Sequence, residues 1–164
     1  MAVTSKDVED RGRPSSWSGK LDELSSGYDD DLRRLIIISA GNVEGEDNWR
    51  NYPEANKTAE VQDPAQAWNV LTVGAFTEKT RLADVTMAGW GTAADGGGLS
   101  PYSSTSLTWP GRRWPIKPEV LLEGGNVAKH PDGRVAEHDD LCPLSTSHIP
   151  QLRQFASFNA TSAA

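Results

Sequence analysis

Apolar residues in this chain fall in short clusters rather than long periodic runs, and Gly, Pro or acidic residues separate most of the clusters. Within residues 16–24, SWSGKLDEL sets Trp17, Leu21 and Leu24 at the spacing of one helical face, which predicts a short amphipathic helix. SSGYDDD breaks it, and RRLIIISAGN follows, with large aliphatic residues at every position of 35–38 and small ones after them. That pattern predicts a strand buried on both faces of a parallel sheet, and a helix feeding such a strand is half of a βαβ unit. Beyond a polar loop over residues 42–63, PAQAWNVLTVGAF predicts a turn and a second strand at 70–73, closed by Gly74. LADVTMAGWG and IKPEVLLEGG predict two further short strands, whereas AADGGGLSPYSSTS and AKHPDGRVAEHDDLCPLSTS read as turn-rich connections. The opening MAVTS has the character of a strand's tail. Strands that close in Gly-rich loops place chemistry at the carboxyl edge of an open α/β sheet, so the segments to watch follow IIIS, LTVG and VLLE, together with the C-terminal stretch.

Composition narrows the classes. With 23 acidic against 16 basic residues among 164, the net charge is −7, and no Lys/Arg-rich tract is present. Nucleic acid and anionic membrane both need a concentrated basic footprint, so neither is expected as a partner. The single cysteine, Cys142, allows neither an internal disulfide nor a thiolate metal cage. The apolar run at 35–38 is far too short to cross a bilayer, and the first residues lack a basic start followed by an apolar core, so no targeting or transmembrane segment is expected and the compartment stays open.

Read together, IIISAGN and the terminal NATSAA resemble the subtilisin-like serine proteases, the subtilases of peptidase family S8. In that family a buried strand ends in AGN, whose Asn lines the oxyanion hole, matched here by Ala40, Gly41 and Asn42. The nucleophile lies in a GTSxA motif, matched by ATSAA with Ser162. Between them, PAQAWNVLTVGAF looks like the strand after the oxyanion loop, LSPYSSTS like the FSSxG-type segment and IKPEVLLEGGNV like KPDVxAPGxxI, all in family order. MAVTS looks like the family's MSLGG strand. The resemblance spans residues 1–164 and implies a partial S8 catalytic domain: an α/β fold with a mostly parallel sheet flanked by helices, incomplete, acting as an endopeptidase on polypeptides. It implies Ser162 as nucleophile, Asn42 as oxyanion donor, Ala2, Val3 and Thr4 as one wall of the substrate pocket, and Ala40 and Gly41 as the other. No cofactor is implied here; calcium occurs in the family, but nothing in these residues supports it.

The same chemistry can be argued from the residues. Attack of a hydroxyl on a peptide carbonyl puts negative charge on oxygen, which pre-aimed neutral donors in a dry site stabilise without reorganising. An Asn amide and a backbone N–H suit that task, but a Ser hydroxyl also needs a His base oriented by an Asp. In the family both precede the MSLGG strand, and none of His130, His138 or His148 sits in a matching motif. The expectation is therefore that the triad Asp and His lie before Met1, and that residues 1–164 alone are inactive and poorly soluble. Ala160 stands where the family usually has Gly. A catalytically dead peptide-binding domain is the alternative.

Other clusters have plainer readings. HPDGRVAEHDDLC has a metal-like composition, but its His spacing in a Pro/Gly loop matches no paired-ligand pattern, so it reads as a solvated insertion and no metal is assigned. The acidic residues at 29–31 and Glu44, Glu46 and Asp47 read as surface charge, with calcium or selection of basic substrate residues as alternatives. The glycosylation-like NKT at Asn56 and NAT at Asn159 are discounted, and the Trp residues read as core and cleft walls.

Overall fold

The computed structural model describes residues 1–6, 11–111 and 114–164. Helix α1 (Ser16–Ser26) starts where the Ser15 hydroxyl accepts the Ser18 amide at 2.9 Å and the Ser18 hydroxyl accepts the Ser15 amide at 2.8 Å. This reciprocal capping box satisfies two amides that the helix leaves unpaired. Gly27, at φ 77°, ends the helix in the left-handed region that a residue without Cβ adopts at little cost. The inward face differs from the expected one. Ser18 and Ser25 are buried and Leu21 packs on the core, while Leu24 is 38% exposed.

The principal sheet is mostly parallel. Strand β1 (Ile37–Ser39) runs parallel to β2 (Leu71–Thr77) with Ile37 opposite Leu71. Strand β5 (Val120–Glu123) lies parallel on β2's other edge, Val73 opposite Val120. Strand β4 (Gly98–Leu99) pairs antiparallel with the far end of β2. With α1 packed against it, this sheet is the expected α/β arrangement. The run at 35–38 is buried on one face only: Ile38 joins Ala40, Val61, Ala65, Val70 and Trp109 in the main core, whereas Ile37 is 46% exposed and Leu35 78%. The pleat sends alternate side chains to opposite faces, and among the described residues only one face carries a packing layer.

Several connections hold structure that their polarity concealed. The loop over 42–63 folds into two single-turn helices, α2 (Glu46–Arg50) and α3 (Glu54–Thr58). The strand expected in LADVTMAGWG is instead a 3₁₀ turn at Val85–Met87 followed by the two-residue β3 (Gly91–Thr92). The Asp84 carboxylate accepts the Thr86 amide at 2.8 Å, closing a turn incompatible with extended backbone, and Val85 is 86% exposed. The two stretches read as connections contain β4, the hairpin of β6 (Ala128–Lys129) and β7 (Val135–Ala136), and β8 (Leu144–Thr146), which pairs with β9 (Phe155–Ser157). Strands β3, β6 and β7 form a small antiparallel sheet over a second core of Tyr102, Val127, Val135 and Ala160. The opening MAVTS lies beside β1 without becoming a strand: Ser39 N–H donates to the Met1 carbonyl at 3.1 Å and Ser5 N–H to Asp63 at 2.8 Å. No described helix is long and apolar enough to cross a membrane.

Candidate active site

Asn42 follows the carboxyl end of β1, where Gly41 turns the chain at φ +100°. A Cβ at Gly41 would lie 2.4 Å from the Gln62 side chain, so glycine is required by conformation and by space. The turn carrying Ser162 comes from the other end of the chain and is held one residue at a time. Ala160 N–H donates to the Gly124 carbonyl at 2.8 Å. Thr161, 2% exposed, donates to Asn42 Oδ1 through both its amide (3.0 Å) and its hydroxyl (2.6 Å), with the Gly41 carbonyl a further acceptor at 3.2 Å. Two donors on Oδ1 orient the Asn42 amide so that its NH₂ points away from Thr161, and that NH₂ makes no hydrogen bond among the described residues. The hydroxyl and amide of Ser162 likewise have no protein partner among them, and the residue is exposed. Thr161 thus joins the segment of Asn42 to the turn that carries Ser162, and the polar groups of Ser162 and the Asn42 NH₂ are left without partners among the described residues.

Ala2 and Ser162 line one cleft together with Met1, Ile37 and Thr161. Val3 is 61% exposed, and the Thr4 hydroxyl donates to Gln62 Oε1 at 2.7 Å. The second wall is arranged differently. Ala40 is fully buried with its methyl in the main core, its N–H donates to the Val73 carbonyl at 2.8 Å and its carbonyl accepts the Gln62 backbone amide and the Ser104 hydroxyl, both at 2.9 Å, so it presents no free group to a substrate. Gly41 is covered by Gln62, whose amide also donates to the Asn42 carbonyl at 3.1 Å. Gln62 thus occupies the space between Thr4 and Gly41, a role no local pattern announced. On the Asn42 side a further cleft is lined by Asn42, Glu44, Trp49, Tyr102, Glu137 and Ala160. Trp49 meets Tyr102 edge to face at 5.5 Å and anchors its indole N–H on the Val43 carbonyl at 3.0 Å. Burial, with Glu137 nearby, pushes the Tyr102 phenol far above its ordinary range, so it stays protonated as a donor.

The remaining candidates lie elsewhere. His130 stacks near Trp90 at 5.2 Å and pairs with Asp132, and His138 sits between Asp84 and Asp140 at 3.5 and 3.6 Å. His148 is exposed, and none of the three is hydrogen-bonded to Ser162 among the described residues. Burial pushes the Cys142 thiol up to about 11, leaving it protonated and weakly nucleophilic at neutral pH. Among the described residues no group of three or more His, Cys, Asp or Glu could hold a metal ion. Asn56 is fully buried, its NH₂ bridging the carbonyls of Ser100, Pro101 and Ser103 at 2.9–3.2 Å, so it braces the loop under the site.

No curated protein matches the chain. The family model of the subtilases, Peptidase_S8, covers it over residues 1–164. Sheet topology, the AGN and ATSAA segments in family order and that match agree, and the chain belongs to the subtilase family of serine peptidases, whose substrates are polypeptides.

Proposed function

We propose that this chain carries the nucleophile and the oxyanion site of a serine endopeptidase. Ser162 Oγ attacks the scissile carbonyl carbon while a His base takes its proton. The oxyanion so formed accepts hydrogen bonds from Asn42 Nδ2 and the Ser162 amide, and its collapse expels the amine, which receives that proton. Water then hydrolyses the acyl-enzyme by the same route in reverse. One observation supports the reading: Thr161, next to the exposed Ser162, donates twice to the oxygen of the Asn42 amide, which joins the two motif segments and leaves the Asn42 NH₂ without a partner among the described residues.

None of the three histidines is hydrogen-bonded to Ser162 among the described residues, and on this reading none of them serves as the base. Residues 1–164 alone are therefore expected to hydrolyse peptides at no measurable rate, and turnover by the purified stretch that Ser162→Ala abolishes would overturn this. In the peptidase with its base, treatment with a fluorophosphonate followed by peptide mapping is expected to place the adduct on Ser162, and adduct elsewhere with Ser162 unmodified would sink the assignment. Asn42→Ala is expected to slow that labelling and peptide turnover by about 10²–10³-fold, a magnitude taken over from subtilisin. The same histidine arrangement favours a second reading, a peptide-binding domain without chemistry. Its mark would be peptide binding unaffected by Ser162→Ala together with no adduct.

A further inference from the structure

The segment over residues 128–142 lies outside every motif that carries the family likeness, yet it reaches the turn bearing Ser162. Glu137 follows β7, and its Oε1 accepts the Asn159 side-chain amide at 2.6 Å. The Tyr102 hydroxyl completes a triangle, 3.3 Å from Glu137 Oε1 and 3.3 Å from Asn159 Nδ2. Tyr102 is 2% exposed, so one corner of that triangle belongs to the second core and does not move freely. Glu137 is itself held in place on its C-terminal side. Leu141 is fully buried with its carbonyl accepting Asn126 N–H at 2.9 Å, and Asp140 accepts the amides of Ala83 and Asp84 at 2.7 and 3.1 Å.

The turn needs such bracing. Ala160 has φ +71°, a left-handed conformation that a residue with a Cβ adopts only where its surroundings over-determine it. On its C-terminal side Thr161 is tied to Asn42, and the Ala160 amide itself donates to the Gly124 carbonyl. Asn159, on the N-terminal side, has Glu137 and Tyr102 as its side-chain partners. We infer that Glu137 is a positioning residue, which acts through Asn159 to hold the strained Ala160 and with it the placement of Ser162 against Asn42. The inference gives a function to an insertion that reads as plain solvated loop, and it rests on the reading of Ser162 as nucleophile.

The test is amide hydrogen exchange at Ala160 and Thr161, whose N–H groups tie the turn to Gly124 and Asn42. Glu137→Ala is expected to speed exchange at both by about fivefold, as loss of one net hydrogen bond implies. Glu137→Gln, which keeps an accepting oxygen, is expected to stay within about twofold of the parent, and the amides of β2 are expected to be unaffected in both variants. Asn159→Ala removes the same contact from the other side and is expected to match Glu137→Ala, so the comparison survives if one variant does not fold. Unchanged exchange at Ala160 and Thr161, equal effects of Ala and Gln at position 137, or acceleration spread equally over β2 would each overturn the positioning role. Exchange does not depend on nucleophilicity, so a failed adduct at Ser162 with these rates as expected would count against the peptidase reading alone.

Discussion

Replacing Ser162 with alanine in the peptidase, its general base in place, is expected to lower kcat by about 10⁶-fold, a magnitude again taken over from subtilisin. The residual rate should still exceed the uncatalysed one by about 10³–10⁴-fold, because the oxyanion donors and substrate contacts survive the change. The loss should be purely chemical. Ser162 is exposed, its hydroxyl has no protein partner among the described residues, and the turn around it is closed by other groups: Ala163 N–H to the Ala160 carbonyl at 3.0 Å, and Thr161 to Asn42. Stability is accordingly expected to change by less than about 0.5 kcal/mol, as at other surface positions without special contacts. Thermal unfolding and steady-state kinetics on one preparation check both halves. Turnover retained within tenfold would remove Ser162 from the chemistry, and a large fall in melting temperature would make the kinetic loss uninformative.

Lys117→Met is expected to cost about 3 kcal/mol of folding stability, a large share of the 5–15 kcal/mol typical of a domain. Lys117 is 2% exposed, unusual for an ammonium group, and it is compensated twice. Its Nζ pairs with Glu119 Oε1 and donates to the Val70 carbonyl at 2.9 Å, while Glu119 Oε2 accepts the Thr72 amide at 2.8 Å. The pair therefore bridges the start of β2 to the approach of β5, next to the parallel pairing of Val73 with Val120. Methionine fills the volume but leaves the Val70 carbonyl without its donor and the Glu119 carboxylate without its cation. The Glu119 side chain is 33% exposed, and water screens part of that loss, which is why the expected cost sits at the low end of the range for broken buried pairs. The double variant Lys117→Met/Glu119→Gln removes the orphaned charge while keeping an acceptor for Thr72 N–H, and it should recover part of the loss. Urea unfolding at constant slope measures both, and a double variant less stable than the single one would show that the ion pair is not what holds this junction.

How much of this was legible in advance depends on how local each signal is. The AGN segment sits at the end of an aliphatic run, so the strand and the position of Asn42 at its carboxyl edge could be read from a few consecutive residues. Helix α1 was equally readable, because its cap at Ser15 and its stop at Gly27 are local backbone chemistry. Its inward face was not. Periodicity identifies apolar residues that could face a core, but the observed face uses Ser18 and Ser25, whose value is their small size against a surface the helix itself does not specify. The run at 35–38 failed similarly: four aliphatic residues in succession are compatible with two covered faces, and only the packing of neighbouring segments shows that one face, that of Ile38, is covered. The turn at 85–87 was hidden because a single Asp84 to Thr86 hydrogen bond outweighs a weak strand pattern.

The candidate site divides along the same line. Residue order and type alone determined the family, the α/β class with a mostly parallel sheet, and the candidacy of Ser162 and Asn42, because motifs are short-range patterns. Tertiary structure decided the rest: that Thr161 ties together segments 119 residues apart through the Asn42 amide, that Gln62 fills the space between Thr4 and Gly41, that Ala40 turns its methyl inward, and that Glu137, from an insertion no motif covers, meets the Asn159 side chain. Each of these is a contact between residues distant in sequence. Such contacts are set by how the strands and loops pack against one another, and a linear pattern carries no record of which distant partner will satisfy a given polar group.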